Sequence, residues 1–289
     1  MRYRKKQEEC GLESVTMALP DNEEIEFDQS IAIGNGAIIG TRESQQDSAG
    51  VFLDPGREFA IGVVCDGMGG MESGELASNL GVQIFCEGLA ELESEEGISE
   101  KMIKLANLID EKVFDLIDET GQFITSGTTL VGVVILKNKA FWISVGDSRI
   151  FLFRNEKLEA LNVEHNYKYL KEIKKEDKKF QPSEQIRDDA LISYMGKGGL
   201  EYIDYNQYPY ELESGDCFLL VSDGITKTLS EDTLQEILCF NQYSVERMKE
   251  KILEKVRDSA KKHQDNATVV ILKYYGKKEE EHKNEISEM

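Results

Sequence analysis

Histidine is scarce in this chain, and its cysteines form no pattern. Three histidines occur, His165, His263 and His282, and none stands in an HExxH or similar spacing, so a histidine-built zinc site is not indicated. The five cysteines, Cys10, Cys65, Cys86, Cys217 and Cys239, are odd in number and include no CxxC, which argues against a disulfide framework and a zinc ribbon. Cys65 and Cys217 lie beside apolar strand residues and read as small buried hydrophobes in a reduced, cytoplasmic setting. No apolar run approaches the length of a membrane span. The basic start Met1-Arg2-Tyr3-Arg4-Lys5-Lys6 is followed by no apolar segment, so no secretory signal is expected. Positive charge is also short: 34 Lys and Arg face 55 Asp and Glu, a formal net charge of −21. Such a surface repels phosphate backbones and anionic lipid, which disfavours nucleic acid and membrane as partners. Neither a GxxxxGK[ST] loop nor a GxGxxG helix start is present to cradle a nucleotide.

What is present is a chain of 289 residues, 40% hydrophobic and 31% charged, enough for a substantial core in one or two domains. Its most informative stretch is Val63-Val64-Cys65-Asp66-Gly67-Met68-Gly69-Gly70. Phe59 to Cys65 reads as a buried strand. The spacing predicts that this strand stops at Asp66, that glycines form a turn, and that a helical pattern starts near Ser73. The glycines allow a backbone carbonyl such as that of Gly67 to approach a ligand closely, which suits a hard cation. A plain alternative is a strand-to-helix turn whose aspartate caps the helix. Four further aspartates stand beside apolar runs, in Gln45-Gln46-Asp47-Ser48, Gly146-Asp147-Ser148-Arg149, Ser222-Asp223-Gly224 and Asp265-Asn266-Ala267-Thr268. Carboxylates at several strand ends can converge on one point, at a cost that a cation relieves.

The pattern elsewhere predicts an α+β fold. Residues 1–28 form an N-terminal extension of polar, acidic character. Ile31–Gly34 and Ala37–Gly40 suggest a first strand or hairpin, Ala49–Leu53 a strand, and Asp54-Pro55-Gly56 a turn. Leu76 to Leu89 and Ile98 to Ile117 carry apolar residues at helical spacing and predict an antiparallel helix pair. Ser126 to Val145 reads as a β-hairpin around Lys137-Asn138-Lys139, and Ile150 to Leu161 as another around Arg154-Asn155-Glu156-Lys157. Tight turns between consecutive strands mean antiparallel pairing. Residues 162–209 are charged and irregular, either a solvated stretch or a flap-like insertion beside the site. A strand at Asp216–Ser222, helices at Glu231–Cys239 and Val245–Lys262, and a strand at Ala267–Tyr274 complete the pattern. The Lys/Glu-rich tail, 276–289, reads as disordered.

These motifs, taken in order, resemble the metal-dependent protein serine/threonine phosphatases of type 2C in their compact bacterial form. The similarity covers residues 30–274 and the catalytic domain is placed at 29–275. It rests on Arg42 through Asp47-Ser48, Asp66-Gly67-Met68-Gly69-Gly70 with Gly74-Glu75 and Ala77-Ser78, Ser126-Gly127-Thr128-Thr129, Gly146-Asp147-Ser148-Arg149, Ser222-Asp223-Gly224 and Asp265-Asn266-Ala267-Thr268. The resemblance implies a β-sandwich of two antiparallel sheets flanked by pairs of antiparallel helices. It implies hydrolysis of phosphoserine and phosphothreonine on proteins by a metal-activated water. Asp66, Asp223 and Asp265, with Asp47 through water and the Gly67 carbonyl, resemble the ligands of two tightly bound Mn²⁺ or Mg²⁺ ions. Asp147 resembles a ligand of a third, weaker ion, and Arg42 the guanidinium that grips the substrate phosphate. Oxygen-rich ligation selects such hard ions over zinc, two cations about 3.5–4 Å apart activate a shared water, and an arginine binds two phosphate oxygens in parallel. Arg42 as a surface partner of Glu43, Asp147 as a hairpin cap, and Thr128, Thr129 and Arg149 as structural residues are the plainer readings.

Three positions depart from the family pattern. Gln45 stands where an asparagine is common. Met68 and Met71 stand where relatives can carry a histidine, so no side chain is marked as the acid for the leaving group. Glu164-His165 replaces an Asp-His pair. The expected partners are phosphorylated proteins and a cognate serine/threonine kinase, with the chain a monomer. A catalytically inactive phosphatase-like binding or sensing module is the alternative; it predicts loss of metal aspartates, and all five are present.

Overall fold

The computed structural model describes residues 30–70, 73–118 and 120–276. The expectations for the N-terminal extension, Met71, Cys10, His282 and the tail beyond Gly276 lie outside the described residues. The elements run in the order β1 (Ile31–Ile38), β2 (Asp47–Asp54), β3 (Phe59–Gly69), α1 (Ser73–Ala90), α2 (Ile98–Phe114), β4 (Ser126–Thr128), β5 (Leu130–Leu136), β6 (Lys139–Val145), β7 (Arg149–Arg154) and β8 (Lys157–Ala160). Next come α3 (Tyr167–Ile173), β9 (Asp204–Tyr205), β10 (Tyr210–Glu211), β11 (Cys217–Val221), α4 (Asp223–Thr226), α5 (Glu231–Asn241), α6 (Val245–Asp258) and β12 (Ala267–Tyr274).

Two antiparallel sheets form. One has the order β1-β12-β11-β7-β8; the other has the order β10-β6-β5-β3-β2, with β4 added on β3 and β9 on β6. Strand alternation sorts the apolar residues into three layers. On β3, Ala60 and Val64 face the opposite sheet and pack with Val131, Phe218, Leu220 and Val270. The intervening Phe59, Ile61, Val63 and Cys65 face outward onto Phe85, Leu89, Met102 and Ile109 of α1 and α2. Cys217, Leu219 and Val221 of β11 likewise meet Leu234, Leu238, Met248 and Ile252 of α5 and α6. The result is the α+β sandwich flanked by helix pairs that the resemblance implied. Each fully buried Phe, Leu or Ile contributes about 1.5–3 kcal/mol, and this core offsets the cost of charges gathered at its rim.

Several boundaries differ from the sequence expectation. Ile31–Ile38 is one continuous strand rather than a hairpin, because all eight residues pair with β12, Ile31 opposite Tyr274 through Ile38 opposite Ala267. The strand carrying Asp66 does not stop there. It continues to Gly69 by changing partner, from β5 up to Val64 to β4 from Gly67 onward. Thr129 breaks the expected long strand 126–136 into β4 and β5. The second helix ends at Phe114 instead of Ile117. Residues 162–209 are anchored at several points. Bridges join Asn166 to Leu191 and Thr128 to Met195, and Asp110 Oδ1 on α2 accepts the amides of Gly196, Lys197 and Gly198.

Candidate active site

The five aspartates come from separate elements and gather at one end of the sandwich. Asp47 opens β2 and stands directly opposite Asp66 on β3. Like charges so placed repel. Burial, then the neighbouring charges of Asp47, Asp223, Asp147 and Asp265, hold the Asp66 carboxyl well above the usual carboxylate range. Burial is also the main reason that Asp47 is pushed up to about 6, with the Asp223 and Asp265 charges adding to it and the Ser222 hydroxyl opposing it. Asp147 is pushed up to about 7, again first by burial and then by Asp223. Asp66 thus stands within the influence of the other four, and the aspartates that the sequence singled out lie at one rim.

The backbone around Asp66 is tightly braced. Its N–H donates to Thr129 Oγ1 at 2.9 Å, and its carbonyl accepts from the Thr129 amide and from Thr128 Oγ1. Thr129 Oγ1 and Ser148 Oγ lie 2.7 Å apart, linking Asp66 to the turn that carries Asp147. At Gly67, a Cβ would stand 2.2 Å from the Gly74 carbonyl oxygen and 2.4 Å from that of Gln46, so three chain segments close up only around a glycine. Asp47 Oδ2 accepts from Ser222 Oγ at 2.6 Å.

Asp223 is the first residue of α4 instead of a free strand end. Lys227, one turn on, places its ammonium on Asp223 Oδ2. Among the described residues, Asp223 Oδ1 is buried without a hydrogen-bond partner. Asp265 Oδ1 accepts the amide of Asn266, and Oδ2 pairs with Arg42 at 2.7 Å. Arg42 is therefore at the carboxylate rim, and its ion pair is with Asp265, not Glu43. Its side chain is 56% exposed, free to reach an incoming anion.

The residues fit divalent cations. An orphaned carboxylate oxygen, like charges crowded below the surface, and an all-oxygen donor set are what a hard cation neutralises. Among the described residues, no three carboxylate, imidazole or thiolate side chains close into one preformed metal cage. Magnesium-type ions keep several waters and use few protein carboxylates, and here Asp223 and Asp265 are meanwhile held by Lys227 and Arg42.

Four residues that sequence reasoning left without a role complete the site. Lys227 was invisible because it is a lysine in a polar stretch; its i,i+4 spacing from Asp223 was the available signal. Ser222 bridges Asp47 to the amide of Thr268. Asn266 accepts from the Gln46 amide and donates to the carbonyls of Ile39 and Ser44, pinning the loop that carries Arg42. His165 is buried and clamps Gly146 twice: its amide donates to the Gly146 carbonyl, and its Nδ1 accepts the Gly146 amide. Gly146, at φ +108°, is the bend that delivers Asp147. Arg149 lies over Phe151 and faces Glu164 and Glu231.

A sandwich of this layout with a rim of aspartates defines a class, the metal-dependent phosphoester hydrolases. The protein phosphatase 2C family model matches residues 37–264, and the chain belongs to that family. Its activity is that of a protein serine/threonine phosphatase, and the family is metal-dependent. The serine/threonine phosphatase stp of Listeria innocua is 28% identical over 204 residues, which are 68% of this chain and 78% of that protein. The fold is similar to the S. agalactiae serine/threonine phosphatase, with a TM-score of 0.71 and 22% identity over 84% of this chain and 99% of that one. It is also similar to the catalytic domain of PstP in complex with 2 manganese ions, with a TM-score of 0.64 and 22% identity over 84% and 97% of the two chains. Among the described residues, no helix is long and apolar enough to cross a membrane.

Proposed function

We propose that Asp66, Asp223 and Asp265, with Asp47 and the Gly67 carbonyl, hold two divalent cations, manganese or magnesium, and that Arg42 binds the phosphate of a phosphoserine or phosphothreonine side chain. The observation that carries this reading is geometric: Asp47 stands opposite Asp66 on paired strands, and Asp223 Oδ1 at the same rim is buried without a hydrogen-bond partner among the described residues. When bound, the two cations supply an activated water and neutralise charge on the phosphoryl oxygens. Asp66 is fixed by its backbone bonds to Thr128 and Thr129, which hold the position of its carboxylate. Arg42 is held by Asp265 at the rim, and with Asp265 engaged by a cation its guanidinium would be released to bind two oxygens of the substrate phosphate. Met68 offers no proton to the departing serine or threonine oxygen, and a water held by the cations would be the donor.

Asp147 and Asp223 define the place for a third, weaker ion. The substrates are phosphorylated proteins, a serine/threonine kinase is the natural counterpart, and the chain acts as a cytoplasmic monomer. The inactive-module alternative has no support from a missing aspartate. The test is hydrolysis of a phosphothreonine peptide by the whole chain with excess chelator and with added Mn²⁺. Activity should vanish in the first and return in the second; full turnover in chelator would refute the two-cation reading.

A further inference from the structure

Lys227 is the feature of the site that the proposed chemistry leaves unused. It comes directly after α4, and its position is fixed by that short helix: its amide donates to the carbonyl of Asp223. The ammonium pairs with Asp223 Oδ2 and lies within electrostatic reach of Asp147 and Asp66. Asp147 and Asp223 are the two carboxylates that define the place for a third ion. A side-chain cation of the protein's own therefore already stands at that place.

Charge balance limits how many cations this space accepts. The five aspartates carry five negative charges. Two divalent ions together with Arg42 and Lys227 already outweigh them by one. A third divalent ion added to that set would leave an excess of three positive charges in a half-buried space, which low-dielectric repulsion strongly opposes. It becomes acceptable only if a resident cation leaves. Arg42 has the substrate phosphate to hold. Lys227 has a side chain that is 52% exposed on a flexible stem, so it can leave the rim for solvent.

We infer that Lys227 is a tethered cation that occupies the Asp147–Asp223 position and sets a low affinity for the third divalent ion, which binds only by displacing it. This rests on the two-cation reading above and adds a positioning role for Lys227 to it. The ammonium is a monovalent stand-in, so the third site is weak by construction, and the displaced lysine can swing into solvent.

The experiment is Mn²⁺ titration of the ion-free full chain by calorimetry, with bound manganese counted by elemental analysis, for wild type, Lys227→Met, Lys227→Arg and the double variant Lys227→Met/Asp147→Ala. Lys227→Met keeps the length and removes the charge. It should keep the two tight sites and bind a third ion at least tenfold more tightly than wild type. Lys227→Arg should restore the wild-type weakness, and the double variant should lose the gain. A third-site affinity in Lys227→Met within twofold of wild type, with both tight sites intact, would overturn the role of Lys227 alone. A gain that survives loss of Asp147 would also overturn it. Wild-type protein that binds no manganese at all would instead refute the two-cation reading beneath it. Retention of the two tight sites shows that each variant is folded.

Discussion

The two halves of the carboxylate rim are built differently. The half on β2 and β3 holds Asp47 and Asp66, and among the described residues no side-chain cation forms an ion pair with either one. Their support comes from neutral groups: Ser222 on Asp47, and Thr128 and Thr129 on the Asp66 backbone. The half on α4 and the approach to β12 holds Asp223 and Asp265, and each has its own cation, Lys227 and Arg42. The first half therefore has no ion pair of its own, among the described residues, to offset its crowded charge. On the proposed reading, the second half would make added cations compete with resident ones. Neutral braces fix a ligand without weakening its charge, whereas resident cations make ligand affinity adjustable.

The largest effect should come from breaking the first half. Asp66→Asn keeps the shape and the backbone bonds to Thr128 and Thr129, but removes the charge that no other group nearby replaces. Activity on a phosphopeptide should fall on the order of 10³-fold, the scale of several kcal/mol of lost metal-assisted stabilisation. Calorimetry should show the loss of at least one tight Mn²⁺ site. A variant with both sites and near wild-type turnover would move Asp66 out of the centre.

Breaking the second half at Arg42 should cost less and act differently. Arg42→Ala loses a charge-assisted phosphate contact of about 1.5–3 kcal/mol, so kcat/KM should fall roughly 10- to 100-fold, mostly through KM. The same change frees Asp265, so Mn²⁺ should bind more tightly. If KM is unchanged while Mn²⁺ affinity rises, Arg42 serves Asp265 alone.

The contrast between the halves also marks what the sequence disclosed. The aspartates were legible because each stands next to an apolar strand, and strand ends are where a sandwich can gather side chains. The layers were legible because β3, β11 and β12 alternate two apolar faces. The continuation of β3 past Asp66 was not, since Gly67, Met68 and Gly69 look like a turn until β4 supplies a new pairing partner. The long-range pairings were hidden too. The pairs Arg42–Asp265 and His165–Gly146 depend on contacts between residues distant in sequence, which a local pattern does not encode.

A moderate effect should appear in stability against pH. In the ion-free fold, burial and neighbouring carboxylates raise Asp47 to about 6 and Asp147 to about 7, above the 3.8 of an ordinary aspartate. Folding therefore takes up protons between these values, and ion-free stability is highest near pH 4 and falls as pH rises to 7. Carboxylates held below their usual value, such as Asp54 and Asp204, act in the opposite sense, below pH 4. In chelator, Tm should drop between pH 5 and 7.5 by on the order of 5 °C. Saturating Mn²⁺ should remove the drop, and Asp147→Asn should shrink it. A flat profile in chelator would show that the carboxylates are not crowded in solution.

The smallest effect should come from Met68. Met68 lies two positions beyond Asp66 on β3, so both side chains share one face of the strand, and Met68 is only partly buried where β3 pairs with β4. A histidine there would place a titratable group beside the rim. It should not be needed, because the site operates with methionine at this position. With an aryl phosphate, whose leaving group departs without a proton, Met68→His should stay within about threefold of wild type. With a phosphoserine peptide, whose leaving alkoxide does need a proton, an imidazole within reach would raise kcat below its pKa and add an acidic optimum to the pH profile. Equal profiles for both substrates would mean that Met68 lies beyond reach of the leaving oxygen. A loss above tenfold in a folded variant that still binds two Mn²⁺ ions would show that the thioether does more than fill space between β3 and β4.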